Sequence, residues 1–283
     1  MRLLVTGAAG LIGRHVAERF APKHEVVALR HADLDITDRE AVHRTVAAVR
    51  PALIVNAAVI EVDECERDPA LARSINVDGP RWLAEAAAAA RAEIVHFGTN
   101  YAFNGAEIGR APYTIDDPPD PVNVYGRTKV EGEEAVRREC RQSYIVRTSW
   151  VFGPGKSVFL CSVHRKLRAR QAVRAIADLW SSTTYVRDLV SRLEAVLAAR
   201  RHGTYHIVNA GVCSYYEFAV EAARLVGLGP PEIARLVSGV KEADMARLAP
   251  RPRYTPLRCR LSEELGLPPL RHWREALAEY VVS

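Results

Sequence analysis

Short apolar runs alternate with longer amphipathic stretches along the first half of the chain. Leu3–Thr6, Glu25–Leu29, Leu53–Asn56, Ile94–Gly98 and Tyr144–Thr148 are runs rich in Val, Ile and Leu, and they read as strands. Between them, Leu11–Phe20, Asp38–Val49, Pro80–Arg91 and Val124–Cys140 carry apolar positions at helical spacing. The runs are apolar at nearly every position, as a strand must be when helices cover both faces of its sheet. Strand–helix–strand alternation predicts right-handed crossovers and a parallel sheet. In such a doubly wound sheet, strands one and four are expected to be neighbours, with the ligand crevice at their carboxyl ends.

Beyond Val151 the rhythm loosens. Val158–Arg170, Tyr185–Arg200 and Tyr215–Val226 read as helices, and Val173–Ile176 and Thr204–Val208 as strands. The last stretch is rich in proline and arginine and closes on Leu261–Leu265 and Trp273–Val281. No linker separates it, so the pattern predicts an α/β fold with a small C-terminal lobe built onto the sheet.

Composition narrows the picture. The 283 residues are 48% hydrophobic and 26% charged, which suits a packed core and excludes a disordered chain. No apolar run approaches the ~18 residues of a membrane span, so no membrane partner is expected. MRLLVTGAAG reads as a buried strand rather than a secretory signal. The five cysteines are scattered without a CxxC pair, so neither a metal site nor a disulfide framework is expected, and a reducing cytoplasm fits. The formal charge is +5, carried mostly by arginine. That excess is either a surface bias or a provision for an anionic ligand such as a nucleotide diphosphate. The basic stretch His164–Arg170 lacks interleaved aromatics, so no nucleic-acid partner is expected.

Thr6-Gly7-Ala8-Ala9-Gly10-Leu11-Ile12-Gly13 joins the first strand to the first helix. Gly7 permits the tight turn, Gly10 leaves the backbone amides open to a pyrophosphate, and Gly13 lets the helix lie close to the sheet. The alternative is a plain tight turn, but the position at the first strand–helix junction favours a dinucleotide on the helix N-terminus, contacted also by Leu11 and Ile12. After the second strand stand Arg30 and His31, with no carboxylate at that point. A basic residue there suits a ribose 2′-phosphate, hence NADPH, with NADH as the lesser option; Arg30 facing solvent is the rival reading. Asp35 and Ile36 are placed to flank the adenine.

Tyr125 and Lys129 fall at i and i+4 of a helix, on one face. A phenol is a weak acid at neutral pH, and an ammonium beside it favours its ionised form. Lys129 can also bond the nicotinamide ribose. Thr99, directly after the fourth strand, can hydrogen-bond a carbonyl oxygen while Tyr125 protonates it.

TGAAGLIG and YGRTK together resemble the extended short-chain dehydrogenase/reductases. Val55–Ala58 (VNAA), Val95–Gly105 (VHFGTNYAFNG), Asn123–Glu133 (NVYGRTKVEGE) and Arg147–Gly155 (RTSWVFGPG) are similar to the dTDP-4-dehydrorhamnose reductase family. GTYHIVNAG at Gly203–Gly211 and Arg251-Pro252 match more loosely. The resemblance implies a Rossmann-type doubly wound parallel sheet with a smaller C-terminal substrate-binding lobe. Residues 1–153 and about 172–208 would form the NADP-binding domain, and about 154–171 and 209–283 the lobe. It implies Thr99, Tyr125 and Lys129 as the catalytic set. Ala57, Ala58, Val59, Asn76 and Phe97 would lie along the cofactor, and Asn100, Trp150 and Arg251 along the substrate. Asn100 stands where the family usually has aspartate. Trp150 is otherwise a core aromatic, and Arg251 otherwise a surface arginine, although Pro250 and Pro252 restrict the backbone around it.

The expected activity is NADPH-dependent reduction of a nucleotide-diphosphate 4-keto-6-deoxy sugar in dTDP-L-rhamnose biosynthesis, by an oxidoreductase that could act as a homodimer. A dehydratase would need an acidic pair that Gly98-Thr99-Asn100 does not offer. Another nucleotide-sugar ketoreductase or epimerase shares the scaffold. A non-catalytic NADP-binding subunit, similar to the β subunit of methionine adenosyltransferase, is the alternative from another class.

Overall fold

The computed structural model describes residues 1–282. The first half runs β1 (Arg2–Thr6), α1 (Leu11–Phe20), β2 (Glu25–Leu29), α2 (Arg39–Val49), β3 (Leu53–Asn56), α3 (Val62–Arg67) and α4 (Pro69–Arg73). A π-helical turn, Ser74–Asp78, leads into α5 (Gly79–Ala89), β4 (Glu93–Thr99), α6 (Val124–Glu139) and β5 (Ser143–Thr148). The strands and helices expected from the apolar pattern are thus present, with ends shifted by a few residues.

Six strands form the main sheet, all parallel, in the order β2-β1-β3-β4-β5 and then β10 (Gly203–His206). β3 therefore lies between β1 and β4, which corrects the expectation that strands one and four adjoin. Only β2 stands on the far side of β1, so the chain reverses its winding one strand earlier. The switch point falls between β1 and β3, and the crevice opens between the loops that follow them.

The sheet has a helical layer on each face. Leu3, Val5, Leu53, Val55, Val95, Tyr144 and Val146 pack toward α1 and the helices of the second half. Leu4, Ile54, Ile94 and Ile145 pack toward α2, α5 and α6. Consecutive residues of one strand thus enter opposite cores, which is why these strands are apolar throughout rather than alternating. Two helix starts are fixed by local caps. The Asp38 side chain accepts the Ala41 amide, and the Asn123 side chain accepts the Gly126 amide.

The second half comprises β6 (Val151–Phe152), α7 (Phe159–Arg168), β7 (Val173–Ile176), β8 (Trp180–Ser181), β9 (Thr184–Tyr185) and α8 (Val186–Ala199) before β10. After it come β11 (Asn209–Ala210), β12 (Cys213–Ser214), α9 (Tyr215–Leu225), α10 (Pro230–Leu236), β13 (Val237–Val240), β14 (Tyr254–Thr255), α11 (Arg260–Glu264), β15 (Leu270–His272) and α12 (Trp273–Val282). α8 packs on α1, and β10 extends the main sheet. β7 instead pairs with β13, and β8 lies between β12 and β14. β7 and β8 thus pair with strands from the last stretch of the chain and not with the main sheet, whereas the division implied by the resemblance puts about 172–208 with that sheet. A four-residue apolar strand has the same signature in either sheet. Among the described residues no helix is long and apolar enough to cross a membrane.

Candidate active site

The glycine loop owes its shape to backbone contacts. Gly7 has φ +68°, and a Cβ there would sit 2.5 Å from the Ala57 carbonyl carbon. A Cβ on Gly13 would sit 2.4 Å from the Gly7 oxygen, so α1 rests directly on the loop. At Gly10 an added Cβ would sit 3.1 Å from the Gly7 oxygen, a tight contact but a milder one than at Gly13. Gly10 is also the N-cap of α1, with no side chain over the first-turn amides and no acidic residue among them. Those amides are free to meet an anion. Leu11 turns into the core, while Ile12 reaches the cleft.

Two cavities meet at Ala57, Ala58 and Val59. One, of about 570 Å³, is lined by Gly7, Gly10, His31, Asp35 and Ile36. The other, of about 250 Å³, is lined by Ile12, Phe97, Thr99, Asn100, Tyr101, Tyr125, Lys129 and Trp150. Together they form a cleft along the carboxyl ends of β1, β3 and β4, which runs from the glycine loop past Tyr125 to Asn100 and Trp150. Asp35 is held by the amide and hydroxyl of Thr37 at 2.9 and 2.8 Å.

Arg30 is not free. Its Nε and Nη2 donate to the two carboxylate oxygens of Asp33 at 2.9 and 3.1 Å, on the open surface. The pair holds Asp33 down to about 2. The carboxylate that the sequence lacked directly after β2 thus folds back from three residues on. An i,i+3 pairing across the turn was the available signal.

Tyr125 and Lys129 project from α6, and Thr99 ends β4. Burial pushes the Tyr125 phenol up, and its hydrogen bond with the Thr99 side chain opposes that shift. The Thr99 hydroxyl also accepts the Tyr101 amide at 3.1 Å. The Tyr101 ring meets Tyr125 edge-on at 5.7 Å. Lys129 is almost fully buried, and loss of solvent pulls it down to about 8. Its Nζ lies 3.4 Å from His96 Nε2, and His96 Nδ1 lies 3.1 Å from Asn56 Nδ2. Asn56 Oδ1 accepts the Thr6 hydroxyl at 2.8 Å and the Ala58 amide at 3.2 Å. His96 and Asn56 escaped the sequence reading. Each is a polar residue inside an apolar strand, and that was the signal.

Asn76 lines neither cavity. It sits in the π-helical turn, with Nδ2 3.1 Å from Thr128 Oγ1 on the inner side of α6. The Asn76 carbonyl faces Gly132, where an added Cβ would come within 2.0 Å.

The residues expected along the substrate are assembled from distant segments. Asn100 Nδ2 donates to Thr255 Oγ1 at 2.7 Å and Ser181 Oγ at 3.3 Å, and Ser181 meets Ser149 at 2.7 Å. This buried cluster fastens the end of β4 to the lobe strands β8 and β14. Trp150 has φ +41° and packs against Tyr215 with centroids 4.0 Å apart and ring planes tilted by 33°. A tryptophan in that backbone region is strained and is held by its surroundings. Arg251 makes a two-pronged pair with Asp63 at 3.0 and 2.9 Å and also donates to the Ala249 carbonyl. It borders a separate cavity of about 290 Å³ with Glu242 and Arg247. Among the described residues no cluster of three or more His, Cys, Asp or Glu could hold a metal.

Comparison with known proteins agrees with this geometry. The family described as RmlD substrate binding domain matches residues 1–283. A dTDP-4-dehydrorhamnose reductase of Mycolicibacterium smegmatis is 40% identical over 100% of this chain and 85% of its own. A protein of Streptomyces antibioticus described as a probable dTDP-4,6-dihydroxy-2-methyloxan-3-one 4-ketoreductase is also 40% identical, over 99% of this chain and 94% of its own. The solved dTDP-4-dehydrorhamnose reductase of Bacillus anthracis, in complex with NADP, superposes with a TM-score of 0.91 at 29% identity, covering 99% of this chain and 98% of that one. With its full length matched and its cleft built from the expected motifs, the chain belongs to the RmlD substrate binding domain family.

Proposed function

We propose that the protein is an NADPH-dependent reductase of a dTDP-linked 4-keto-6-deoxy sugar. The observation that carries this reading is the meeting of Thr99, Tyr125 and Lys129 in one cavity that continues into the glycine-loop cavity. The residues present fit a dinucleotide. The uncovered N-terminus of α1 would hold its pyrophosphate, Asp35 and Ile36 would flank the adenine end, and Ile12 and Phe97 would bound the nicotinamide end. When bound, the reduced nicotinamide supplies a hydride to the sugar carbonyl carbon. The Thr99 hydroxyl donates to the carbonyl oxygen and orients it. The Tyr125 phenol delivers the proton that completes the alcohol. Lys129 holds the ribose and, in its protonated form, stabilises the phenolate left behind.

Trp150, packed against Tyr215, would offer its other face to the sugar. Arg251, if it exchanges Asp63 for a phosphate, would hold the diphosphate in a two-pronged contact. Arg30 would meet the ribose 2′-phosphate in the same way. The test is turnover of a panel of nucleotide-linked keto sugars, followed by loss of NADPH absorbance. Reduction of a dTDP-4-keto-6-deoxy sugar above all others is the expected result. NADPH binding with no turnover across the panel would overturn the reading and favour a cofactor-binding subunit.

A further inference from the structure

The buried chain between the Ala58 amide and Lys129 has a direction. A backbone N–H can only donate, so the atom of Asn56 facing Ala58 must be its carbonyl oxygen. The Asn56 amide nitrogen therefore faces His96 Nδ1 and donates to it. A neutral imidazole that accepts at Nδ1 carries its hydrogen on Nε2. His96 is fully buried, and burial together with nearby Lys129 and Arg137 holds it well below the ordinary histidine range, so it is neutral. Nε2–H then points at Lys129 Nζ. Only an uncharged amine has a lone pair to accept that hydrogen; an ammonium would set donor against donor.

We propose that His96 is a positioning residue that stabilises the uncharged amine of Lys129 by donating to it from the end of this one-way chain. Burial already favours the uncharged amine, and the other groups around Lys129 do not add to that bias. Glu133, one turn on along α6, favours the charged form but is taken up by Arg147 at 2.7 Å and Arg137 at 3.3 Å. Cys65 of α3 is pushed up to about 11 by burial and stays a thiol. Tyr125 and Tyr101 are both shifted toward the neutral phenol. A lysine that releases and regains its proton readily suits the tyrosine one turn away. That consequence rests on reading Tyr125 and Lys129 as the reacting pair; the titration of Lys129 does not.

The chain has only five lysines, so a carbon-13 label at lysine Cε resolves Lys129, identified by the signal lost in Lys129→Met. In the intact protein without cofactor, its midpoint is expected near 8. His96→Leu removes the donor and should raise the midpoint by about one pH unit, the scale of one buried hydrogen bond. Asn56→Asp should raise it too, because a carboxylate accepts Nδ1–H and turns the Nε2 lone pair toward Lys129. His96→Gln should keep the midpoint within a few tenths of a unit, since its carbonyl can accept from Asn56 while its amide donates to Lys129. Circular dichroism on each variant confirms folding, and the glutamine and aspartate variants keep the test alive should the leucine variant unfold. An unchanged midpoint in His96→Leu or Asn56→Asp, or an equal rise in His96→Gln, would overturn the inference. A shifted midpoint with an unmoved alkaline limb of kcat would leave the inference standing and break the pairing of Tyr125 with Lys129.

Discussion

The two ends of the cleft are built by different means. At the cofactor end the determinants are close in sequence. Gly7, Gly10 and Gly13 lie within one turn and its helix, and Tyr125 and Lys129 within one helical turn. At the substrate end they are distant. Asn100 meets Ser181 and Thr255, Trp150 packs against Tyr215, and Arg251, beside a separate cavity, reaches back to Asp63. The first end depends on backbone geometry that only a few residue types can adopt. The second depends on side chains that find one another after the lobe has folded onto the sheet. On the proposed reading, chemistry common to many substrates would sit on the local scaffold, and the parts that distinguish one sugar from another on the long-range one.

The largest expected effect tests the local end. Tyr125→Phe should lower kcat by about a hundred- to ten-thousand-fold, the usual worth of a positioned general acid. Its NADPH dissociation constant should stay within a factor of two or so, because the phenol acts on the carbonyl and not on the pyrophosphate. Lys129→Met should lower kcat and weaken NADPH as well. If the two variants behaved alike, the division of labour between acid and ribose ligand would be lost.

The glycines of the loop make the same point through stability. A methyl group at Gly13 meets the Gly7 carbonyl at 2.4 Å, and backbone cannot move aside as a side chain can. Gly13→Ala should therefore cost about 1–3 kcal/mol of stability, the range seen for overpacking, and show as a lower Tm. Gly10→Ala meets the same carbonyl oxygen at 3.1 Å, a milder crowding, so its Tm should fall less. NADPH affinity should nevertheless fall, since the methyl would stand over the helix N-terminus. Equal loss of Tm in both variants would mean that Gly10, too, is there for packing.

The distant end is tested by Arg251 and Asp63. Arg251→Ala should raise the KM for the nucleotide sugar by about ten- to a hundredfold, the scale of a charge-assisted hydrogen bond, and leave NADPH binding alone. Asp63→Asn should leave that KM unchanged or lower it, because it frees the guanidinium. Both should lower Tm modestly, since each breaks a pair that ties α3 to the lobe. If both raised KM equally, the pair itself would be what matters, as a strap across the mouth of the site.

The same division decides what could be read from the sequence. The main sheet was legible because its strands are apolar on both faces, a signature that survives without tertiary knowledge. The strand order was not. Whether β3 or β4 lies beside β1 depends on where the winding reverses, and no residue of β3 records it. β7 was legible as a strand, but nothing in Val173–Ile176 says which sheet it joins. Its true partner, β13, lies more than sixty residues further along the chain. Thr99, Tyr125 and Lys129 could be placed because strand ends and i,i+4 spacing fix them locally. His96 and Asn56 were passed over because a polar residue in an apolar strand is informative only once its partner across the sheet is known. The hydroxyl cluster around Asn100 had no local signal at all.

The smallest expected effect falls at the outer edge of the cofactor end, where the local rule was incomplete. Arg30 follows β2, where a basic residue favours a 2′-phosphate. Asp33, at the same edge, holds that arginine in a two-pronged pair on the open surface. NADPH must draw Arg30 away from Asp33, whereas NADH makes no such demand. Both groups are exposed and screened by solvent, so the exchange costs little. Asp33→Asn should therefore raise the preference for NADPH over NADH by no more than about tenfold, and added salt should shrink the difference. Arg30→Ala should reduce the preference by a similar factor. Arg30→Asp should go further and turn it toward NADH, because a second carboxylate would face the 2′-phosphate. Dissociation constants for both cofactors, taken from quenching of the chain's tryptophan fluorescence at two salt concentrations, measure this directly. If neither Asp33→Asn nor Arg30→Ala moves the ratio, the phosphate is held elsewhere. His31, which lines the same cavity, is then the residue to substitute next.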